Sequence, residues 1–243
     1  SSLAWSPDGS KLVFMSSMHG DPELFMVDSS GGNLRRITYS AGVDTSPAWN
    51  PKTGQQIAFV SDRGEGGVLQ IWTMNPDGSD PRQLTFGPGD KARPRWSPDG
   101  ARLAFVAPGG TDASGNTLGL DVWTMNADGT GVTDLTKSPG DDTEPSWAPD
   151  GKRIAFTSTR SNGLRQVFVM TVACDPPTGG CAAGKPRNFS FSPGFNAVEY
   201  SPAWSPDGSQ LAVSASINQA PGRIYFHPGV IPYVGPAPTP VAF

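Results

Sequence analysis

The chain has 243 residues, of which 30 are glycine and 25 are proline, about twice the average share of these two helix-interrupting residues. This composition excludes long helices. A hydrophobic content of 36% is too high for a disordered chain, so an all-β protein with many turns remains. The net charge of −4 and the lack of a basic block argue against nucleic acid as a partner, and no apolar run reaches the ~20 residues that span a bilayer.

A tryptophan-centred pattern recurs five times along the chain. The first copy reads Trp5-Ser-Pro-Asp-Gly, and matching segments begin at Trp49, Trp96, Trp147 and Trp204. Self-similarity at a period of about 50 residues is typical of propeller blades. The copies divide residues 1–226 into repeats at about 1–40, 41–87, 88–137, 138–192 and 193–226. Residues 227–243 are rich in proline, which predicts a C-terminal tail or linker.

Each copy predicts four short strands in a fixed order. The tryptophan strand ends at a turn in which proline presets φ and glycine accepts a positive φ. A second strand with one central alanine follows, as in residues 57–59, and then a third strand that ends in methionine, as in residues 71–74. The fourth strand ends in an apolar residue followed by threonine or serine, as in residues 84–85, and the fifth copy has no clear counterpart of it.

A four-stranded antiparallel unit of this size cannot bury both of its faces alone, so the copies are expected to stack as a β-propeller. The recurring Pro-x-Trp, Ser-Pro-Asp-Gly, Ile-Ala-Phe and Leu-Thr elements resemble the TolB-like propeller family, whose repeat is called PD40 or WD40-like. We therefore predict an all-β fold of four-stranded blades. Five repeats are visible, which either close a five-bladed ring or form part of a larger propeller.

Strand direction divides each blade into two ends. The Pro-Asp-Gly turns lie at one end, called the turn end here. The second-to-third strand loops and the connections between blades lie at the other, called the loop end. Binding surfaces are usually built from irregular loops on a rigid scaffold, so the loop end is the predicted binding face. Its loops run from Met18 to Pro22, Asp62 to Val68, Pro108 to Gly119, Thr159 to Leu164 and Asn218 to Arg223.

An acidic residue recurs before the Pro-x-Trp strand, at Asp44, Asp90, Asp142 and Glu199. If these strands line a channel, the carboxylates would converge and offer oxygen ligands to a structural Ca²⁺ or to Mg²⁺. The alternative, which we favour, is that each acid caps its own turn or pairs with an arginine such as Arg63 or Arg160. No other cofactor is expected.

Two cysteines, Cys174 and Cys181, enclose a short turn-rich segment in the fourth repeat. This spacing predicts a disulfide that staples a hairpin in place of a Pro-Asp-Gly turn. A disulfide implies an oxidising compartment, periplasmic or extracellular.

Catalytic motifs such as Gly-x-Ser-x-Gly and His-Glu-x-x-His are missing from the sequence. The resemblance to TolB-like propellers implies a noncatalytic, extracytoplasmic module that binds another protein of the cell envelope or the extracellular space. The first alternative is the propeller domain of an enzyme, either the substrate-gating domain of a prolyl-oligopeptidase-like peptidase or a polysaccharide lyase-like propeller. The third possibility, glycan or cell-wall binding, requires exposed aromatic side chains on the loop face, and the second-to-third strand loops contain none.

Overall fold

The Ser-Pro-Asp-Gly segments fold as expected from their turn chemistry. In the first, Gly9 has a φ of 68°, and Asp8 Oδ1 accepts hydrogen bonds from the Ser6 hydroxyl (2.6 Å) and the Ser10 amide (3.0 Å). The Ser6 hydroxyl in turn accepts one from the Lys11 amide (2.9 Å). These bonds, led by the one from Ser6, lower the pKa of Asp8 to about 2. The motif therefore closes a hairpin between the first two strands of a repeat.

The structure is a computed structural model that describes residues 3–111, 118–161, 163–174, 179–190, 197–217 and 223–228. Within these ranges it contains β-strands and a single 3₁₀ helix at Glu65–Gly67. The predicted all-β fold is confirmed.

The strands form five antiparallel sheets, one for each repeat, and in all but the fourth sheet neighbouring strands are consecutive in the chain. The first contains β1 (Leu3–Trp5), β2 (Lys11–Ser16), β3 (Glu23–Asp28) and β4 (Arg35–Arg36). The second contains β5 (Asp44–Trp49), β6 (Ile57–Ser61), β7 (Gln70–Met74) and β8 (Arg82–Gln83). The third contains β9 (Ala92–Trp96), β10 (Arg102–Pro108), β11 (Leu120–Asn126) and β12 (Thr133–Asp134).

The last two sheets depart from this regular plan. The fourth contains β13 (Asp142–Trp147), β14 (Arg153–Ser158), β15 (Gln166–Cys174), β16 (Cys181–Ala183) and β17 (Arg187–Asn188), and both β16 and β17 pair with β15. The fifth contains β18 (Ala197–Trp204), β19 (Gln210–Ile217) and β20 (Arg223–Pro228). Strand β20 extends two residues into the segment predicted to be the tail, and the rest of that segment lies outside the described residues.

The chain divides into two compact units, and the division runs through the third sheet. Unit 1 comprises residues 1–107 and 125–132, and unit 2 comprises residues 108–124 and 133–243. In unit 1 the core joins the first two sheets. Its buried side chains are those of Val13, Leu24, Met26, Ile37, Trp49, Ile57, Phe59 and Met74. In unit 2 a second cluster joins the fourth and fifth sheets. It consists of Ala155, Val167, Val169, Leu211, Val213 and Ala215. Adjacent repeats therefore bury each other's faces, as stacking requires.

Two of the recurring tryptophans join successive sheets. Trp96 and Trp204 are at equivalent repeat positions, and the Nε1–H group of each donates to a carbonyl of the preceding sheet, Ala48 (3.0 Å) and Ser146 (3.1 Å) respectively. Four of the five tryptophan strands contain a bulge, and in each of the four the residue three positions before the tryptophan has a positive φ. These residues are Ser46, Arg93, Glu144 and Ser201. Trp49, Trp96 and Trp147 are buried and Trp204 packs against the core of unit 2, so these four are structural, whereas Trp5 is 52% exposed.

Candidate functional site

The loop end is built by one backbone contact that recurs between consecutive sheets. The amide at the start of a tryptophan strand donates to the residue just before the third strand of the preceding sheet. In unit 1 these bonds are Asp44 N to Pro22 O (2.8 Å) and Lys91 N to Leu69 O (2.8 Å). In unit 2 the equivalent bond is Glu199 N to Arg165 O (2.9 Å). The second-to-third strand loop and the next connection are therefore fixed side by side, as the strand directions predict.

The recurring Leu-Thr motif supplies a buried hydroxyl at the same end. The Thr85 hydroxyl accepts a hydrogen bond from the Ile71 amide (2.8 Å) and donates to the Gln70 side chain (2.7 Å). In the first repeat the Thr38 hydroxyl likewise accepts a hydrogen bond from the Leu24 amide (2.9 Å) and donates to the Glu23 carboxylate. Each hydroxyl thus satisfies the first polar side chain of the neighbouring third strand, which gives the motif a structural role.

Two of the four predicted acids pair with the predicted arginines. Asp44 and Asp142 have no exposed surface, and their Oδ2 atoms lie 2.6 Å from Arg63 Nη2 and Arg160 Nη2. The guanidinium of Arg160 also lies over the ring of Phe156, 5.1 Å from its centroid. Burial raises the pKa of Asp142. These two carboxylates therefore act within the fold, as the alternative interpretation expected.

Asp90 does not occupy the position of the other three acids, so the grouping made from the sequence needs correction. Asp90 Oδ1 accepts a hydrogen bond from the Leu69 amide (3.0 Å), as Asp141 Oδ1 does from the Leu120 amide (3.0 Å). The position equivalent to Asp44, five residues before the tryptophan, is occupied by Lys91. Asp90 therefore caps a loop.

Lys91 is a buried cation where the second, fourth and fifth repeats have a buried acid. Its side chain is 8% exposed, and Nζ donates to the carbonyl oxygens of Pro88 (2.8 Å) and Gly89 (2.7 Å). Burial lowers the pKa of Lys91. Glu199 is also fully buried, in unit 2. Among the described residues no three His, Cys, Asp or Glu side chains are placed to hold a metal ion, so the predicted Ca²⁺ or Mg²⁺ site has no assembled ligand set there.

A pair of carboxyl groups in the third sheet was missed in the sequence. Asp121 is fully buried, and its Oδ1 accepts hydrogen bonds from the Thr136 hydroxyl (2.8 Å) and the Ser138 amide (3.1 Å). Its Oδ2 is buried and has no donor among the described residues, and the Asp134 carboxyl is close enough to act on Asp121 electrostatically. Burial raises the pKa of both groups, and the partner carboxyl raises that of Asp121 further. A proton on Asp121 Oδ2, donated to Asp134, would satisfy the pair.

Exposed aromatic side chains lie on the connections between sheets. Tyr39 and Phe86 each follow the recurring threonine, and they are 74% and 72% exposed. The Arg36 guanidinium lies over the Tyr39 ring at 4.8 Å, and the Tyr39 hydroxyl donates to the Arg36 carbonyl (3.0 Å). Met18, in the adjacent second-to-third strand loop, is 49% exposed. These two rings lie directly after the repeated threonine and outside the second-to-third strand loops, so they were not among the predicted residues of the binding face.

The predicted loops are described to different extents. The loops from Met18 to Pro22 and from Asp62 to Val68 lie wholly within the described residues. The other three extend partly outside the described residues, at 112–117, 162 and 218–222. At the turn end, the predicted disulfide between Cys174 and Cys181 is present and joins β15 to β16. No helix in the described parts of the chain is long and apolar enough to cross a membrane.

Known proteins share the repeat and the architecture. The TolB beta propeller domain model, PD40, matches residues 1–116. A Tol-Pal system protein TolB from Anaeromyxobacter dehalogenans is 36% identical over 128 residues, which cover 53% of this chain and 27% of that protein. The structure of TolB from Acinetobacter baumannii aligns with a TM-score of 0.63 and 22% identity, over 94% of this chain and 54% of that chain.

A peptidase also contains this fold. A puromycin-hydrolyzing peptidase from Mycobacterium tuberculosis aligns with a TM-score of 0.64 and 16% identity, over 93% of this chain and 34% of that chain. The chain spans between 27% and 52% of the length of the first curated relatives that it matches. The family match, the TolB relatives and the repeated four-stranded antiparallel sheets identify the chain as a TolB-like β-propeller.

Proposed function

We propose that the chain is a noncatalytic, extracytoplasmic interaction module that binds another protein through its loop end. The observation that carries this proposal is the exposure of Tyr39 and Phe86 at equivalent positions of two consecutive repeats in unit 1. Tyrosine and other aromatic residues are enriched among the side chains that dominate binding energy at protein interfaces.

The scaffold beneath these rings supports the same role. The hydroxyls of Thr38 and Thr85, which immediately precede the two rings, are fixed by hydrogen bonds to the third strands. The connection that follows Tyr39 is fixed by the bond from the Asp44 amide to the Pro22 carbonyl. Rings presented on such a connection lose little conformational entropy on binding, which favours affinity.

The compartment and the partner follow from two further points. A disulfide between Cys174 and Cys181 persists in an oxidising environment, which supports a periplasmic or extracellular location. The relative from Anaeromyxobacter dehalogenans is a Tol-Pal system protein, which supports a protein partner in the cell envelope.

Site-specific photo-crosslinking tests this role. A photoreactive amino acid at position 86 should give one discrete protein adduct in the native source, and Tyr39→Ser in the same chain should reduce the yield at least fivefold. The same probe at Asp128, on a turn at the opposite end of its repeat, should give no such adduct. Equal adducts from both positions, or none from position 86, would overturn the proposal.

A second candidate is the propeller domain of a peptidase, and the fold likeness to the puromycin-hydrolyzing peptidase favours it. In this case the chain would gate access to a catalytic domain elsewhere in the same polypeptide. A Gly-x-Ser-x-Gly motif in the flanking coding sequence, together with peptidase activity of the complete protein, would establish this role in place of the first.

A further inference from the structure

The fourth sheet differs from the other sheets along its outer edge. Strands β16 and β17 both pair with β15, and the Gly184 amide still donates to the Thr171 carbonyl (2.8 Å), but pairing is interrupted at Lys185 and Pro186, opposite Met170. Pro186 cannot donate to the ladder, which explains why pairing does not continue across the break. A cavity of about 580 Å³ opens at this break. This volume is within the range of pockets that bind small ligands or short peptide segments.

Three cationic side chains line the cavity, although the chain as a whole carries a net charge of −4. Lys185 and Arg187 are exposed, and no carboxylate among the described residues pairs with either. Arg153 is held in place, because its Nε lies 2.8 Å from Asp150 and its guanidinium lies 4.6 Å from the centroid of the Trp204 ring. Its Nη1 is buried and has no hydrogen-bond partner within the described parts of the chain.

The remaining wall of the cavity is apolar and rigid. Val169 and Phe189 line it. Val169 belongs to the hydrophobic cluster between the fourth and fifth sheets, and the half-buried Phe189 packs against that cluster. Thr171 adds an exposed hydroxyl at the rim. The disulfide between Cys174 and Cys181 closes the hairpin that leads into the broken edge. The cavity therefore combines donors for an anion with an apolar surface that does not need to form on binding.

We propose that this cavity, lined by Arg153, Lys185 and Arg187, binds an acidic peptide segment of a partner protein, with carboxylates on the cations and an apolar side chain against Val169 and Phe189. Guanidinium and ammonium groups bind carboxylates through charge-assisted hydrogen bonds, and the exposed side chains of Lys185 and Arg187 supply the donors. The apolar wall favours a peptide over a free inorganic anion, which would leave that surface uncovered. The site lies at the turn end of unit 2 and does not depend on the role proposed for Tyr39 and Phe86.

Fluorescence anisotropy with a labelled hexapeptide that contains two aspartates, one glutamate and one leucine tests the proposal on the purified protein. We expect saturable binding that weakens as salt is raised from 50 to 300 mM, because the charges at the rim are screened. Arg187→Gln and Lys185→Gln should each raise the Kd about tenfold, since each removes a charge-assisted hydrogen bond. Lys152→Gln is the matched control, because this exposed lysine beside Arg153 does not line the cavity, and it should change the Kd less than twofold.

Three further arms decide the class of ligand. The same peptide with its acids replaced by amides, or with serine in place of leucine, should bind at least tenfold more weakly. Inorganic phosphate at the concentration of the peptide should not compete with it. No saturable binding below about 1 mM, equal effects of Lys152→Gln and Arg187→Gln, or full competition by phosphate would overturn the proposal. Tyr39→Ser should leave peptide binding unchanged, so failure of this site and failure of the loop-end function are distinguishable.

Discussion

Replacing Asp134 by asparagine changes one atom of the carboxyl pair in the third sheet and should stabilise the protein at neutral pH. Asp134 Oδ1 accepts hydrogen bonds from the amides of Thr136 (3.2 Å) and Lys137 (3.3 Å), and the asparagine oxygen can keep both. The new amide nitrogen is then expected to donate to the buried Oδ2 of Asp121, which has no donor among the described residues. The next repeat has such an arrangement, because Asn188 Nδ2 donates to Gln166 Oε1 (3.0 Å).

The expected gain in stability comes from the hydrogen-bond donor that the buried Asp121 Oδ2 lacks. A hydrogen bond to a charged, buried acceptor contributes about 1.5 to 3 kcal/mol. Asp134 is partly exposed, so solvent screening reduces the gain to about 1 kcal/mol. For a chain of this size, that gain corresponds to a rise of about 3 °C in Tm.

The dependence on pH has a definite sign. The pKa of Asp121 is raised in the folded protein, mainly by burial, so the folded state binds more protons than the unfolded state between the two pKa values. The wild-type protein therefore loses stability as pH rises through the folded pKa of Asp121. The Asp134→Asn protein keeps a donor for ionised Asp121. Its advantage over the wild type should therefore grow as pH rises above the ordinary pKa of an aspartate.

Thermal unfolding from pH 5 to pH 8 measures this difference. Asp128→Asn is the matched control, because the Thr130 hydroxyl and amide lower the pKa of Asp128 and keep it ionised throughout this range. Its difference from the wild type should not change with pH. A lower Tm for Asp134→Asn at pH 8, or a constant difference across the range, would refute the reasoning about the shared proton.

Two other changes test the contacts that hold unit 2 together. Arg160→Met leaves the fully buried Asp142 carboxylate without its cation and should cost about 3 kcal/mol in urea unfolding, whereas the exposed Arg165→Met should cost less than about 0.5 kcal/mol. Similar losses from both would contradict the role assigned to the ion pair. Replacing Cys174 and Cys181 by serine should lower the free energy of unfolding by about 2.5 kcal/mol, because the bridge closes a loop across a separation of seven residues. Dithiothreitol should lower the urea midpoint of the wild-type protein as much as these substitutions do. An unchanged wild-type midpoint in dithiothreitol would show that the bridge does not stabilise the protein.

The architecture was predictable because its determinants are local and repeated. Proline and glycine define the hairpin turns, alternation defines the buried face of each strand, and the fivefold repeat requires stacking. The disulfide was predictable for the same reason, since a seven-residue separation within a turn-rich segment brings the two sulfurs together.

The site was less predictable because it depends on register between elements. The residue five positions before the tryptophan is Lys91 in the third repeat, and Asp90 lies one position earlier. The importance of this position became clear only from the bulged tryptophan strand in the structure. The proximity of Asp121 to Asp134 depends on the pairing of β11 with β12, which links residues across a turn. These repeats share one backbone arrangement and differ at single residues. Composition and periodicity describe what the repeats share, so they do not reveal these differences.

The most direct test of the proposed function measures how the loop end binds the protein captured by crosslinking at position 86. Biolayer interferometry should show that a chain with both Tyr39→Ser and Phe86→Ser binds this partner at least a hundredfold more weakly, because two exposed aromatic anchors of about 1.5 kcal/mol each are lost. Leu34→Ser is the control, since Leu34 is 53% exposed at the turn end of the same unit, and it should leave the Kd unchanged. Equal binding by the double variant and the wild type would contradict the claim that the loop end is the interaction surface.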